Sequence, residues 1–375
     1  MSQRHRFALL LTGGGARAAY QVGVLKAITR LLPRNHSLPF PIICGTSAGA
    51  INATALACFA SCYHLGVRKL EWVWKNFHTQ QVYASDTLPL FSYLLGNQLQ
   101  HLSAKDKSRR PSSLLNNQPL RRLLKHTLDF SRIDRNLLTG HLKAISVTAS
   151  SFSTNDSISF FQGVPELNSW QRSKRLGIKT QLNVEHLMAS AAIPLVFPPV
   201  KINDQYFGDG SIHQLSPLSP PIHLGAEKIL IVGVEQPRPD RRHQLQHYPN
   251  SATIAGHLLD TIFADTLHSD LERLYRINHT LSLLNDKQRQ ATQLKPVECL
   301  AINPSFNINE QAADYYANLP LGIRTLMRFM GIKPDSQSSL LSYLLFEGGF
   351  CQAMMDKGLE DGLQRLDEIR AFLEI

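Results

Sequence analysis

Short, nearly continuous apolar runs stand at residues 7–11, 41–44 and 228–234, and each predicts a strand buried on both faces. Segments 142–149 and 297–302 read as further strands, and 157–161 alternates in the β manner. Elsewhere the period changes. Val22, Leu25, Ile28 and Leu32 recur at helical spacing within 19–32. Helices are likewise predicted at 71–77, 120–128, 184–192 (stopped by Pro194) and 253–284. An amphipathic tail follows at 323–330 and 340–355, interrupted at Gly348-Gly349. A hairpin is predicted over 199–207 around Asn203-Asp204, which has turn chemistry. The chain therefore opens β-loop-α-β-turn-α, the alternation of a parallel α/β sheet. Residues 71–136, rich in Gln, Asn, Ser and His, read as an insertion or cap over the sheet's edge. No internal repeat or interdomain linker stands out.

Charge adds one feature to this picture. The 375 residues carry a net +10, and residues 1–70 hold eight Lys or Arg (Arg4, Arg6, Arg17, Lys26, Arg30, Arg34, Arg68, Lys69) with no Asp or Glu. A second basic cluster is Lys105, Lys107, Arg109 and Arg110. Such an excess suits an anionic partner, a membrane surface or a nucleic acid, and equally suits a solvated face whose acidic partners come later. Residues 35–67 lack any Asp, Glu, Lys or Arg, yet prolines and small residues break that stretch into a strand and a packed helix rather than a membrane span. The apolar run after Arg4 and Arg6 is too short for a secretory leader. Cys44, Cys58, Cys62, Cys299 and Cys351 have no zinc or CxxC spacing and fit reduced thiols in a cytoplasmic protein.

The chemistry concentrates in three places. Gly45-Thr46-Ser47-Ala48-Gly49 joins a strand to a helix with the spacing of a nucleophile elbow, where glycines two residues either side leave room for a strained serine. Gly13-Gly14-Gly15-Ala16-Arg17-Ala18 also joins a strand to a helix. It satisfies a dinucleotide fingerprint but fails the accompanying test, because no acidic residue follows about twenty positions on. What remains is a loop of bare backbone N–H groups at a helix N-terminus, as an oxyanion hole requires. The third is Gly208-Asp209-Gly210-Ser211 after the hairpin, which is equally the composition of a surface turn. His186, His213 and His223 are the histidines nearest to it.

In that order, Gly-Gly-Gly-Ala-Arg-Ala, Gly-Thr-Ser-Ala-Gly and the downstream Asp-Gly resemble the patatin-like phospholipases. The stretch 189–200, Ala-Ser-Ala-Ala-Ile-Pro-Leu-Val-Phe-Pro-Pro-Val, is similar to that family's approach to its acid. The resemblance covers about 7–225, and the 342–358 tail looks similar to bacterial members. It implies a three-layer α/β/α hydrolase sheet, with 7–225 as the family domain (insertion included) and 226–375 as a C-terminal extension continuing the fold. It further implies hydrolysis of lipid acyl esters through a dyad of Ser47 and Asp209, without histidine or cofactor. Gly13, Gly14, Gly15 and the N–H near Arg17 would form the oxyanion hole, with Gly45, Gly49 and Gly210 as motif glycines. Membrane lipids would be the partners, met by transient docking, and no nucleic acid. Two positions depart from the family pattern: Ala18 and Ser211. The alternatives are a Ser-His-Asp carboxylesterase, and a catalytically silent lipid- or protein-binding module on the same scaffold.

Overall fold

The computed structural model describes residues 6–84, 113–237, 251–292, 294–334 and 338–375. In chain order the strands are β1 (Phe7–Leu11), β2 (Ile42–Thr46), β3 (Ala144–Ser151), β4 (Ser157–Gly163), β5 (Trp170–Arg172), β6 (Arg175–Lys179), β7 (Val200–Ile202), β8 (Gln205–Asp209), β9 (Lys228–Val232) and β10 (Glu298–Ile302). They form one mixed sheet in the order β10-β9-β1-β2-β3-β4-β6-β5, with β8 on the far end of β3 and β7 on β8. From β10 to β3 every pairing is parallel. Both β4 and β8 run antiparallel to β3.

The central strands are apolar without interruption because both faces are covered. Leu9, Leu11, Ile43, Leu230 and Val232 point into one core, shared with the helices Ala19–Ile28, Ala48–Cys58 and Gly348–Gln364. Their neighbours Ala8, Leu10, Ile42, Cys44, Ile229 and Ile231 point into the other, against Leu267, Leu271 and Leu274 of the helix Ser251–Leu283. The strand period of two thus sorts the side chains into two cores and makes three layers. β9 and β10 extend the sheet beyond β1, so the C-terminal part of the chain contributes strands to the same sheet as the N-terminal part.

Some elements differ from expectation. The helix predicted at 71–77 starts at Tyr63, and Tyr63, Val67, Leu70 and Trp74 form its buried stripe. The polar β5–β6 hairpin lies at the sheet's edge, where half-exposed strands need no apolar run. A last helix, Leu366–Leu373, closes the chain. Much of the expected insertion, with Lys105, Lys107, Arg109 and Arg110, lies outside the described residues.

The basic N-terminal segment does not form one continuous cationic face. Arg17 is buried against Asp260, Arg6 lies 3.6 Å from Glu227, and Lys26 pairs with Glu71 at 2.7 Å. Arg30, Arg34, Arg68 and Lys69 remain exposed. The five cysteines are free thiols. Among the described residues no helix is long and apolar enough to cross a membrane.

Candidate active site

Ser47 sits between β2 and the helix Ala48–Cys58 with φ 54° and ψ −129°, a conformation that costs a residue with a β-carbon about 1–3 kcal/mol. Its surroundings enforce it. A Cβ at Gly45 would lie 2.5 Å from the Gly49 carbonyl oxygen, and one at Gly49 would lie 2.4 Å from the carbonyl oxygens of Leu11 and Thr12. The elbow helix is therefore pressed onto the end of β1, where the Gly-rich loop begins. The Ser47 amide donates to Ser190 Oγ at 2.8 Å, and Ser190 Oγ donates to the Thr148 carbonyl at 2.6 Å. The strained residue is thereby tied to β3.

β3 is also what brings Asp209 to the serine. Thr148 lies opposite Thr46 of β2, and the next residue, Ala149, lies opposite Asp209 of β8. The Asp209 amide donates to the Ala192 carbonyl at 2.9 Å. A Cβ at Gly210 would come within 2.1 Å of the Thr148 carbonyl oxygen, so only glycine lets the acid loop lie this close to β3. Thr46 Oγ1 donates to Gln214 Oε1 at 2.7 Å and fastens the same loop to the elbow strand.

The Asp209 carboxyl is completely buried. Its Oδ1 accepts from the Ser211 backbone amide at 3.0 Å, a bond that Gly or Ala there would equally make, while Oδ2 has no hydrogen-bond partner. Burial pushes its pKa up to about 6, and the nearby Ser47 hydroxyl and Ser211 offset part of that rise. Ser47 is thus within electrostatic reach of the carboxyl, although no hydrogen bond of ordinary geometry joins them.

Two of the three histidine rings are engaged elsewhere. His186 Nδ1 accepts from the Asn183 amide at 3.1 Å in a helix cap, and burial pulls its pKa down to about 4. His223 stacks on Trp170 at 5.0 Å and its Nδ1 contacts the Ser219 carbonyl. The His213 backbone amide donates to Ser150 Oγ, whereas its ring Nδ1 has no hydrogen-bond partner, and burial chiefly lowers the ring's pKa. None of the three hydrogen bonds to Ser47 or Asp209.

Among the described residues, the Gly13 and Gly14 amides donate no hydrogen bond, whereas the Arg17 amide donates to the Gly14 carbonyl at 3.1 Å. That engages an N–H which the sequence offers to an oxyanion. The Arg17 side chain turns away from Ser47 and is buried among C-terminal residues. A chain of buried polar groups steadies the loop's start: Trp74 Nε1 donates to Asn52 Oδ1, Asn52 Nδ2 to Gln21 Oε1, and Gln21 Nε2 to the Thr12 carbonyl. Ser190, Asn52 and Gln21 carry no motif of their own. The sole signal for Ser190 is its place in the 189–200 stretch.

A cavity of about 280 Å³ opens beside Gly15 and Ser47. Its wall is overwhelmingly apolar, with Ile51, Trp74, Phe77, Leu124, Phe197 and Phe346 among the lining residues. Lys69 and Trp72 line it too, and Trp72 is 65% exposed.

A family model described as patatin-like phospholipase matches residues 9–222. Among solved structures the chain is similar to VipD from Legionella pneumophila, at 12% identity over 97% of this chain and 67% of that one, with a TM-score of 0.34. It is similar to human GIVD cytosolic phospholipase A2, in complex with methyl γ-linolenyl fluorophosphonate, at 13% identity over 100% of this chain and a TM-score of 0.45. It spans 60% of that human chain's length. A chain of the SpcU–ExoU complex from Pseudomonas aeruginosa matches at 15% identity, over 98% of this chain and 80% of that one, with a TM-score of 0.30. These are distant likenesses of fold alone. No curated protein matches the chain.

Proposed function

Because this chain belongs to the patatin-like phospholipase family, we propose that it hydrolyses lipid acyl esters with Ser47 as nucleophile and Asp209 as proton acceptor. One observation carries this reading. Ser47 lines a mainly apolar cavity and lies beside a buried carboxyl with one oxygen unpartnered. An acyl chain fills the cavity and leaves its ester carbonyl over Ser47. As Oγ attacks the carbonyl carbon, the hydroxyl proton passes to Asp209 Oδ2, and the developing oxyanion meets the Gly13 and Gly14 amides, with Gly15 completing the loop. One such donor is worth about 3–4 kcal/mol of barrier. Collapse expels the alcohol, which takes the proton from Asp209. Water then repeats the sequence on the acyl-enzyme and releases the fatty acid.

The reading uses no cofactor and no histidine. A pKa near 6 makes Asp209 a better base than an ordinary carboxylate while leaving it ionised at neutral pH. In this reading residues 7–225 and 226–375 are one catalytic unit. The enzyme meets its substrate by docking on lipid with the cavity mouth, where Trp72 and Lys69 are flanked along one helix by the exposed Arg68 and Lys75. Its place in the cell follows as cytoplasmic with transient membrane contact.

The test is a panel of phospholipid, lysophospholipid, triglyceride and a short p-nitrophenyl ester, with Ser47→Ala run alongside. Long-chain esters should be turned over and Ser47→Ala should be inert. Turnover that survives in Ser47→Ala sinks the assignment, as does a well-folded single histidine variant that is equally inert.

A further inference from the structure

Arg17 is a guanidinium only 2% exposed, projecting from the turn Gly15–Ala18 that follows the Gly-rich loop. Its Nε donates to Ser342 Oγ at 2.8 Å and its Nη2 to Asn309 Oδ1 at 2.9 Å. Its Nη1 reaches Tyr343 OH at 3.2 Å and Asp260 Oδ1 at 3.3 Å, and the guanidinium lies 3.9 Å over the Tyr343 ring. The partners are bound to one another. Tyr343 OH contacts Asp260 Oδ1 at 3.2 Å, Asn309 Nδ2 donates to Ser339 Oγ at 3.0 Å, and Ser339 Oγ donates to Asp260 Oδ2. A single buried cation therefore gathers three separate C-terminal segments. All of them lie beyond residue 222, where the family match ends.

The backbone makes the same connection. Gly15 has φ +54°, and a Cβ there would lie 2.2 Å from the Tyr343 carbonyl oxygen, so the loop rests directly on the segment that holds Arg17. The Arg17 amide in turn donates to the Gly14 carbonyl. The orientation of the Gly14–Gly15 peptide, which carries the Gly15 N–H, is thus linked through one turn to the guanidinium and its partners.

We propose that Asp260, Asn309, Ser342 and Tyr343 act through Arg17 as a clamp that positions the Gly13–Gly15 amides, making the C-terminal part of the chain a positioning element for the reaction. The catalytic consequence rests on the acyl-hydrolase reading; the mechanical one does not. A fork of guanidinium donors fixes direction as well as distance. An oxyanion donor misplaced by a fraction of an ångström loses much of its effect.

The test uses the full chain carrying Tyr343→Phe or Asn309→Ala, which remove acceptors from the guanidinium and leave Ser47 and Asp209 in place. Competent sites are first counted with a fluorophosphonate, so that loss of folded enzyme is divided out. The kcat per titrated site on a p-nitrophenyl ester should then fall at least about tenfold, with KM within about twofold. Hydrogen exchange of a peptide covering residues 12–19 should quicken, while the β9 peptide is unchanged. An unchanged kcat per titrated site, or unchanged exchange in the loop, overturns the proposal. If the unaltered protein shows neither labelling nor turnover, the hydrolase reading fails while the exchange measurement still decides the clamp. Tyr343→Phe keeps the ring beneath Arg17 and is the variant to rely on should Asn309→Ala misfold.

Discussion

Burial, with no cation beside it among the described residues, gives the Asp209 carboxyl two opposite consequences, one for rate and one for stability. Its pKa in the folded chain is about 6, raised from 3.8 chiefly by desolvation. In the proposed role Asp209 must be ionised to accept a proton, so kcat on a soluble ester should rise with pH through about 6 and level off above it. The stability sign runs the other way. Between the unfolded value and about 6 the folded state holds a proton that the unfolded chain has released, so stability falls as pH rises. Above about 6 the whole penalty is present, on the order of 3 kcal/mol. Asp209→Asn should therefore be inactive yet melt higher than the unaltered protein at pH 8, with the gap closing below about pH 4. Equal melting temperatures at pH 8 would show that the carboxylate is better solvated than its burial indicates. Such an exchange of stability for function is common where a reacting group is held in a strained or dry place.

Among elements, the junction between the helix Val184–Ser190 and the turn after it holds both halves of the site. Ser190 accepts from the Ser47 amide, and the Ala192 carbonyl accepts from the Asp209 amide. Ser190→Ala should leave the Ser47 N–H buried and unpaired, at a cost of about 1–3 kcal/mol. Both the melting temperature and kcat should drop, and Ser190→Thr should restore part of each. A Ser190→Ala enzyme with unaltered kcat would mean that the elbow holds its strain unaided. Much of this arrangement was legible beforehand. The strands at 7–11 and 228–234 announced themselves because two covered faces demand unbroken apolar residues, and Gly45 and Gly49 because close backbone contact leaves no room for a Cβ, whereas Gly210 was singled out only by the resemblance. The three layers were implied by the family resemblance. Ser190, Asn52 and Gln21 were not legible, since a buried polar residue is defined by a partner distant in sequence. Arg17 was recognised by position, but where its side chain goes depends on residues more than two hundred positions away. The β5–β6 hairpin escaped because an exposed sheet edge imposes no apolar pattern.

For the whole molecule, the distribution of charge decides how a membrane would be met. Arg17 is buried and Arg6 and Lys26 are paired with acids at the surface, whereas Arg68 and Lys69, with Lys75 further along the same helix, are exposed near Trp72 at the cavity mouth. Binding of the Ser47→Ala protein to anionic vesicles should weaken steeply between 0.05 and 0.5 M salt, on the order of tenfold or more. Trp72→Ala should weaken it further at every salt concentration. Binding that is indifferent to both would return the basic residues to the role of a solvated surface. A separate matter is the order in which the sheet can be assembled. β1 is flanked by β2 on one side and by β9 on the other, and Leu9 is in register with Leu230. A ribosome releases the elbow and the Gly-rich loop long before it releases β9, so the nascent hydrolase half waits with one bare edge of its central strand and an unpartnered Arg17. Until β9 emerges, that edge of β1 is open to mispairing with neighbouring chains. On the proposed reading, the same delay keeps the site from being completed before the segment that holds Arg17 has emerged.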